Sequence, residues 1–340
     1  MVFVLEVRTA DLARFARHGG PDLRHLRGYT EPEGAVHIMA SPSTATRVKI
    51  EPAKTPAYNV AFEQLMIDYS AYPVFHYFPD NPDATIPEPN NLEEEREVLS
   101  KRRPSLDSFT EREFQVFRRN NDAATTKAIV DRTVVLFIAG MSDIPSGGKL
   151  LFSNLEAIAQ NVIKPAPDFF DGAHLMAIHK KIRSANEDGN LSKLIIPTND
   201  VDTPVLPNFF MEIKSPTANA RVAQRQAMHV GAIGARAMQA VMNYGKEEPS
   251  YDGNAYTFSS TYCDGRLKLF AHHVAPPTAP GGRPKYYMTL VDSWSLDDSI
   301  DSFRKGVTAF RNARDRARWH RDNFIQAANA RAHHCTSIIE

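Results

Sequence analysis

The 340-residue chain carries only two cysteines, Cys263 and Cys335, too few for a disulfide framework or a four-cysteine zinc site. The expected address is therefore reducing and intracellular, in nucleus or cytoplasm. Neither sign of charge is in excess: 40 Lys and Arg balance 40 Asp and Glu. That excludes a histone-like polycation, so any nucleic-acid contact must come from a local patch. No run approaches the roughly 18 apolar residues of a membrane span, and no membrane partner is expected. The most apolar run, TVVLFIAGM from Thr133 to Met141, reads as a buried strand. The start, MVFVLEVR, breaks at Glu6 and Arg8, too soon for a signal-peptide core. Several catalytic and ligand-binding signatures are missing too. Ser146-Gly147-Gly148-Lys149 lacks the remaining positions of a phosphate loop. Gly231-Ala232-Ile233-Gly234 lies in a helical stretch and is no dinucleotide turn. His272-His273 and His333-His334-Cys335 lack zinc-ligand spacing. No serine sits in a Gly-X-Ser-X-Gly elbow.

What is present is an ordinary globular composition, 42% hydrophobic and 24% charged, in a chain long enough for one large or two medium domains. Residues 1–125 read as a helical and extended N-terminal region. Within it Ser41 to Pro56 is loop-like, and Phe62, Leu65, Met66 and Tyr69 recur at helical spacing. Prolines crowd Pro73 to Pro104, as in an extended connector. The cluster Glu93, Glu94, Glu95 and Glu97 reads as a solvated helix face, and Thr110 with Glu113 has capping-box spacing. Residues 126–332 read as the core. There Thr133 to Ala139, Leu194 to Pro197, Asn208 to Lys214, Tyr256 to Tyr262, Leu267 to His273 and Lys285 to Asp292 are expected strands. Asn154 to Gln160, Ala173 to Asn186 and Asn219 to Tyr244 are expected helices. A long final helix spans about Asp301 to Ala330, with an apolar stripe of Phe303, Val307, Phe310, Ala317 and Phe324. Asp264-Gly265 is a strong hairpin signal. The expected fold class is α/β, a mixed α+β core sheet flanked by helices.

The chemistry concentrates in PNFFMEIKS, Pro207 to Ser215. Alternation in a strand sends Asn208, Phe210, Glu212 and Lys214 to one face and Phe209, Met211 and Ile213 to the other. A carboxylate and an ammonium on so apolar a strand each need a partner or a bound ion. One reading is a structural salt bridge at a strand end. The other is a hard divalent cation held by the carboxylate, with the lysine beside it to orient water or stabilise a phosphate. Upstream, Pro167-Asp168 precedes an aromatic pair, with Asp171 three residues on. Asp168 either starts a turn that Asp171-Gly172 closes, or meets Glu212 across a sheet to complete a cation site. In the following helix Arg221 and Arg225 share a face near Gln224 and Gln226. They bind phosphates or form a solvated boundary.

Pro167-Asp168, then Glu212-Ile213-Lys214, then a helix carrying Gln224, Arg225 and Gln226 resembles the PD-(D/E)XK nuclease superfamily, the restriction-endonuclease-like fold. The longer string NFFMEIKSPTANARVAQRQAMHVGAIGAR, with GRPKYYMT and FRKGVTAFRNAR, also resembles a family of uncharacterised fungal proteins. The superfamily resemblance covers about Val130 to Asp292. It implies that Asp168 and Glu212 are ligands of Mg²⁺ or Mn²⁺, that Lys214 is the catalytic lysine, and that Gln226 (or Gln224) lies beside the active site. The sequence departs from the pattern in three ways. The interval from Asp168 to Glu212 is long. Ser215 stands where the fungal relatives usually have glycine. The acid often carried on the first helix is unassigned among Glu113, Asp131 and Glu156.

The expected function is metal-dependent phosphodiester hydrolysis on DNA. Asp168, Glu212, Lys214 and Gln226 form the catalytic set, and Arg221, Arg225, Arg311, Arg314 and Arg318 contact nucleic acid. The last three, with Arg321, sit on the final helix as a phosphate-tracking ridge beside Trp319 and His320. Lys101-Arg102-Arg103-Pro104 is a candidate nuclear-localisation patch. A homodimer is compatible with this reading. The alternative is a catalytically inactive, nuclease-derived module that binds nucleic acid or protein. A small-molecule enzyme would instead need an enclosed pocket around Lys214.

Overall fold

The computed structural model describes residues 54–79, 81–187 and 189–334; the expectations for residues 1–53 and for Cys335 lie outside the described residues. The helical spacing around Phe62 gives α1 (Ala61–Asp68), which buries Phe62 and Met66. A short strand, β1 (Ala71–Tyr72), follows. The proline-dense stretch is extended until the acidic run forms α2 (Leu92–Ser100). Pro104 then opens α3 (Pro104–Asp107) from the first helical position. The Thr110 side chain accepts from the Glu113 N–H while the Glu113 carboxylate accepts from Thr110 N at 2.6 Å. That reciprocal cap starts α4 (Glu111–Ala123). Next come α5 (Lys127–Thr133), α6 (Val135–Ala139), β2 (Ser146–Gly147) and β3 (Phe169–Ala173). Short helices α7 (Lys180–Arg183) and α8 (Ser192–Ile195) lead to β4 (Val205–Ile213), all nine of whose residues are buried. The chain closes with α9 (Ala220–Asn243), β5 (Ala255–Cys263), β6 (Arg266–Ala275), β7 (Lys285–Ser295) and α10 (Ile300–His334).

The described strands form one seven-stranded mixed sheet in the order β1-β7-β6-β5-β4-β3-β2. β4 and β5 are parallel, with α9 as the crossover between them, and β4 pairs with β3 in antiparallel register. The β5–β6 hairpin turns on Asp264 and Gly265, both at positive φ (49° and 74°), the conformation a two-residue type I′ turn requires. Phe209, Met211 and Ile213 of β4 join a core layer with α4, α5, α6 and α10. Phe210, from the opposite face, joins a second layer with α1 and α9. Asn208 breaks the alternation, because its amide donates to Ala317 O of α10 at 2.8 Å and accepts from Arg321. On the other side of the sheet, α9 lies close enough for a Cβ on Gly231 to overlap the His272 ring of β6.

Several sequence expectations change. Thr133 to Ala139 is helical, not a strand: Val135 and Ile138 are buried while Leu136 is exposed. Arg311 of α10 donates to the Phe137 and Ile138 carbonyls at 2.8 and 3.0 Å, so a tertiary contact satisfies that helix end. Leu194 to Pro197 overlaps α8. Asn154 to Gln160 is irregular, held in part by the Asn154 amide on Ile196 O at 2.9 Å. The helix expected over Ala173 to Asn186 shrinks to a 3-10 turn, Leu175–Ala177, and α7. In each case a short apolar run fits more than one period, and packing decides. Residues 54–125 are also built into the same body. β1 pairs with β7, and Glu95 of α2 is buried against Arg316 and His320 of α10, so it leaves the solvated acidic face.

Candidate active site

Asp168 immediately precedes β3, and the Phe169↔Met211 pairing of β3 with β4 sets it across from Glu212. Its Oδ2 accepts from Ile213 N at 2.8 Å, and its other oxygen is ion-paired with Lys127 at the start of α5. Glu212 is 1% exposed and lies opposite Asp168 across the strand pair. Burial, and next the like charge of Asp168, push the Glu212 carboxyl up to about 8. Lys214 is 2% exposed, and burial pulls its ammonium down, with Lys127 adding repulsion against the attraction of Glu212 and Asp168. Two carboxyls and two lysines thus share one poorly solvated corner at the end of β4.

Gln226 and His229 reach the same corner from α9, three residues and therefore one turn apart. A cavity of about 240 Å³ is lined by the buried Glu212, His229 and Phe62 together with Gln226, and by the exposed Tyr58 and Ile163 toward its mouth. Lys214 Nζ lies 5.9 Å from the Tyr58 ring centre. Four buried polar atoms, Glu212 Oε2, Lys214 Nζ, Gln226 Oε1 and His229 Nε2, have no hydrogen-bond partner among the described residues. Buried polar atoms are costly unless something bonds to them, so their concentration here marks a place for a ligand. Burial holds His229 neutral, with its pKa down at about 3.

The structure therefore brings together Asp168, Glu212, Lys214 and Gln226, as the sequence led one to expect. It does not gather the five arginines. Arg221 is exposed at the start of α9. Arg225 ion-pairs with Glu63 at 3.1 Å and donates to the Ala57 and Asn59 carbonyls, so it fixes the cavity rim. On α10, Arg314 is buried and bonds both oxygens of Asp171 at 2.8 and 3.0 Å. Arg311 is spent on α6 carbonyls, and Arg318 pairs with Asp143 at 2.8 Å. The expected phosphate-tracking ridge is thus turned largely inward. Of the candidate first-helix acids, Glu113 is in the α4 cap and Asp131 pairs with Lys149. The Glu156 carbonyl accepts from Arg236. Among the described residues no three His, Cys, Asp or Glu side chains converge as a metal cluster. Sequence reasoning missed Lys127, His229 and Tyr58. Only His229 had a signal, its i+3 spacing from Gln226.

Compared with known proteins, the chain matches the profile of a domain of unknown function (DUF7924) over residues 119–328, nearly the expected core. No curated protein and no solved structure matches it.

Proposed function

The chain belongs to the DUF7924 family, and we propose that it is a metal-dependent nuclease of the PD-(D/E)XK type, hydrolysing phosphodiester bonds of nucleic acid, DNA first. The observation that carries this reading is the buried Asp168–Glu212 pair with Lys214 beside it, in which Glu212 and Lys214 keep unbonded polar atoms. Support also comes from the order of elements: the Asp168 strand neighbours the Glu212–Lys214 strand, and the helix bearing Gln226 follows directly. The residues fit a magnesium or manganese ion. Both carboxyls are adjacent, one Glu212 oxygen is unbonded, and Mg²⁺ commonly takes one or two carboxylates and keeps several waters. Asp168 and Glu212 would hold it. When bound, such an ion lowers the pKa of water and offsets phosphate charge. Lys214, its ammonium disfavoured by burial, is suited to take a proton from the attacking water or to donate to a phosphate oxygen. The Gln226 amide orients that water from α9.

A second reading, an inactive nucleic-acid or protein-binding module, is favoured by one contact: Lys127 already neutralises Asp168. Plasmid and oligonucleotide cleavage with Mg²⁺, Mn²⁺ or EDTA separates the two. We expect metal-dependent nicking that Asp168→Asn and Lys214→Ala each reduce by about 10²-fold or more, with circular dichroism unchanged. Cleavage indifferent to both substitutions would sink the assignment. No cleavage, with nucleic-acid binding intact in both variants, would make the module the better account.

A further inference from the structure

The cavity above Glu212 is small and its mouth is specific. Its volume, about 240 Å³, lies below the roughly 300–1,000 Å³ of pockets that enclose drug-sized ligands. One nucleotide fits such a space, and a double helix does not. The mouth is unusually apolar for a surface: Tyr58 is 68% exposed, Leu151 50% and Ile163 45%, and all three line the cavity. Lys164 lies among them, and its ammonium is disfavoured first by partial burial and then by the charges of Lys54 and Lys193. Lys164 is the cation of that rim, and its ammonium, which donates to Ser153 O at 2.6 Å, is the group a phosphate there would meet.

The rim is also built rather than incidental. Thr55 N donates to Asn161 O at 2.8 Å and Ile163 N to Thr55 O at 3.1 Å, joining its two sides. Arg225 clamps the Ala57 and Asn59 carbonyls from α9, and the Phe62 ring meets His229 edge-on at 5.7 Å. Below the rim, Gln226 Oε1 and His229 Nε2 are buried and unbonded. This combination of an exposed aromatic ring, a rim lysine and unbonded polar atoms in the same cavity is what an unstacked base with its phosphate requires.

We infer that the site takes a single unpaired nucleotide of a single-stranded nucleic acid, the base against Tyr58, a flanking phosphate near Lys164, and the polar edge toward Gln226 and His229. The inference rests on the nuclease reading only for the site's purpose; binding tests it separately. A duplex keeps its bases paired and stacked, so it offers this cavity a base only where a nucleotide is unpaired or flipped out of the stack.

The test is fluorescence anisotropy of the full chain in EDTA, where cleavage plays no part. The probes are labelled oligothymidylate, oligouridylate and a blunt DNA duplex. We expect a single strand to bind at least about tenfold more tightly than the duplex. Tyr58→Ala should weaken that binding by roughly tenfold, as loss of one base–aromatic stack does. Lys164→Glu should weaken it and flatten its salt dependence. Tyr58 is a surface residue and Lys164 lies at the rim, so both variants are expected to fold. The two single-stranded probes decide between DNA and RNA. Duplex binding equal to or tighter than single-strand binding, or no binding to either, overturns the inference. So does single-strand affinity unchanged in both variants. Single-strand binding that Tyr58→Ala and Lys164→Glu weaken, in a protein that cleaves nothing, would sustain the inference while removing the nuclease assignment.

Discussion

Two aspartates three residues apart in one short segment have different fates, and the difference is one of partners. Asp171 is fully buried and forks onto Arg314, whose guanidinium also lies 4.9 Å from the Phe169 ring centre. Asp168 instead meets Lys127 and Glu212. Removing one member of a buried pair strands the other charge, a loss of about 3–5 kcal/mol. Asp171→Asn and Arg314→Ala are therefore each expected to lower unfolding free energy by about that much in urea titrations. Arg314→Lys should recover little of it, since an ammonium cannot make both bonds of the fork. Equal midpoints for wild type and Arg314→Ala would mean that the pair contributes nothing. The sequence made Glu212 and Lys214 visible because strand alternation puts an acid and a lysine on one face, whereas Asp168 and Gln226 joined them through what the resemblance to the PD-(D/E)XK pattern implies. It hid Lys127 and the inward arginines, since a charged side chain's partner lies far away in the chain. Glu95, read as solvated, is buried for the same reason: its partners Arg316 and His320 come from α10.

At the scale of elements, the legible ones are long or carry explicit local chemistry. β4, α9, the β5–β6 hairpin and α10 all fall where periodicity or turn residues place them. The cap at Thr110 is a local device, and Thr110→Ala is expected to cost about 1 kcal/mol, read as a small drop in thermal midpoint. Gly231 is a different case, invisible locally. A methyl there would overlap His272, which is itself bonded to Ser259 Oγ at 2.7 Å. Gly231→Ala should therefore cost about 1–3 kcal/mol as overpacking, although alanine is the better helix former by about 1 kcal/mol. A variant more stable than wild type would show that α9 can move off the sheet. Thr133 to Ala139 and Leu194 to Pro197 show the limit of local reading. Runs of four to seven apolar residues suit either period, and contacts such as Arg311 on the Phe137 and Ile138 carbonyls settle them.

Across the whole molecule, buried titratable groups set the pH dependence of folding. His229 and His272 are held near 3 and His273 near 4 by burial, whereas an unfolded histidine titrates near 6.5. Their contribution is complete above about pH 6.5 and is lost as pH falls toward 3–4, because the unfolded chain binds the extra protons. Glu212 works in the opposite sense. Its folded pKa of about 8 lies above the ordinary 4.5, so between those values the folded state holds the extra proton and stability falls as pH rises. The comparison that isolates its contribution is wild type against Glu212→Gln. Wild type should lose stability relative to the variant as pH climbs from about 4.5 to 8, measured by urea unfolding in EDTA. Parallel curves would mean that Glu212 is ionised within the fold. By itself the sequence determined the mixed α+β class, the long elements and the acid–lysine strand, because backbone periods and turn conformations are local properties. Only the tertiary structure decided that Lys127 neutralises Asp168, that the α10 arginines serve the interior, and that a rim from residues 54–62 narrows the site to a small cavity. Those outcomes depend on which distant groups share a buried volume, and no spacing along the chain encodes that.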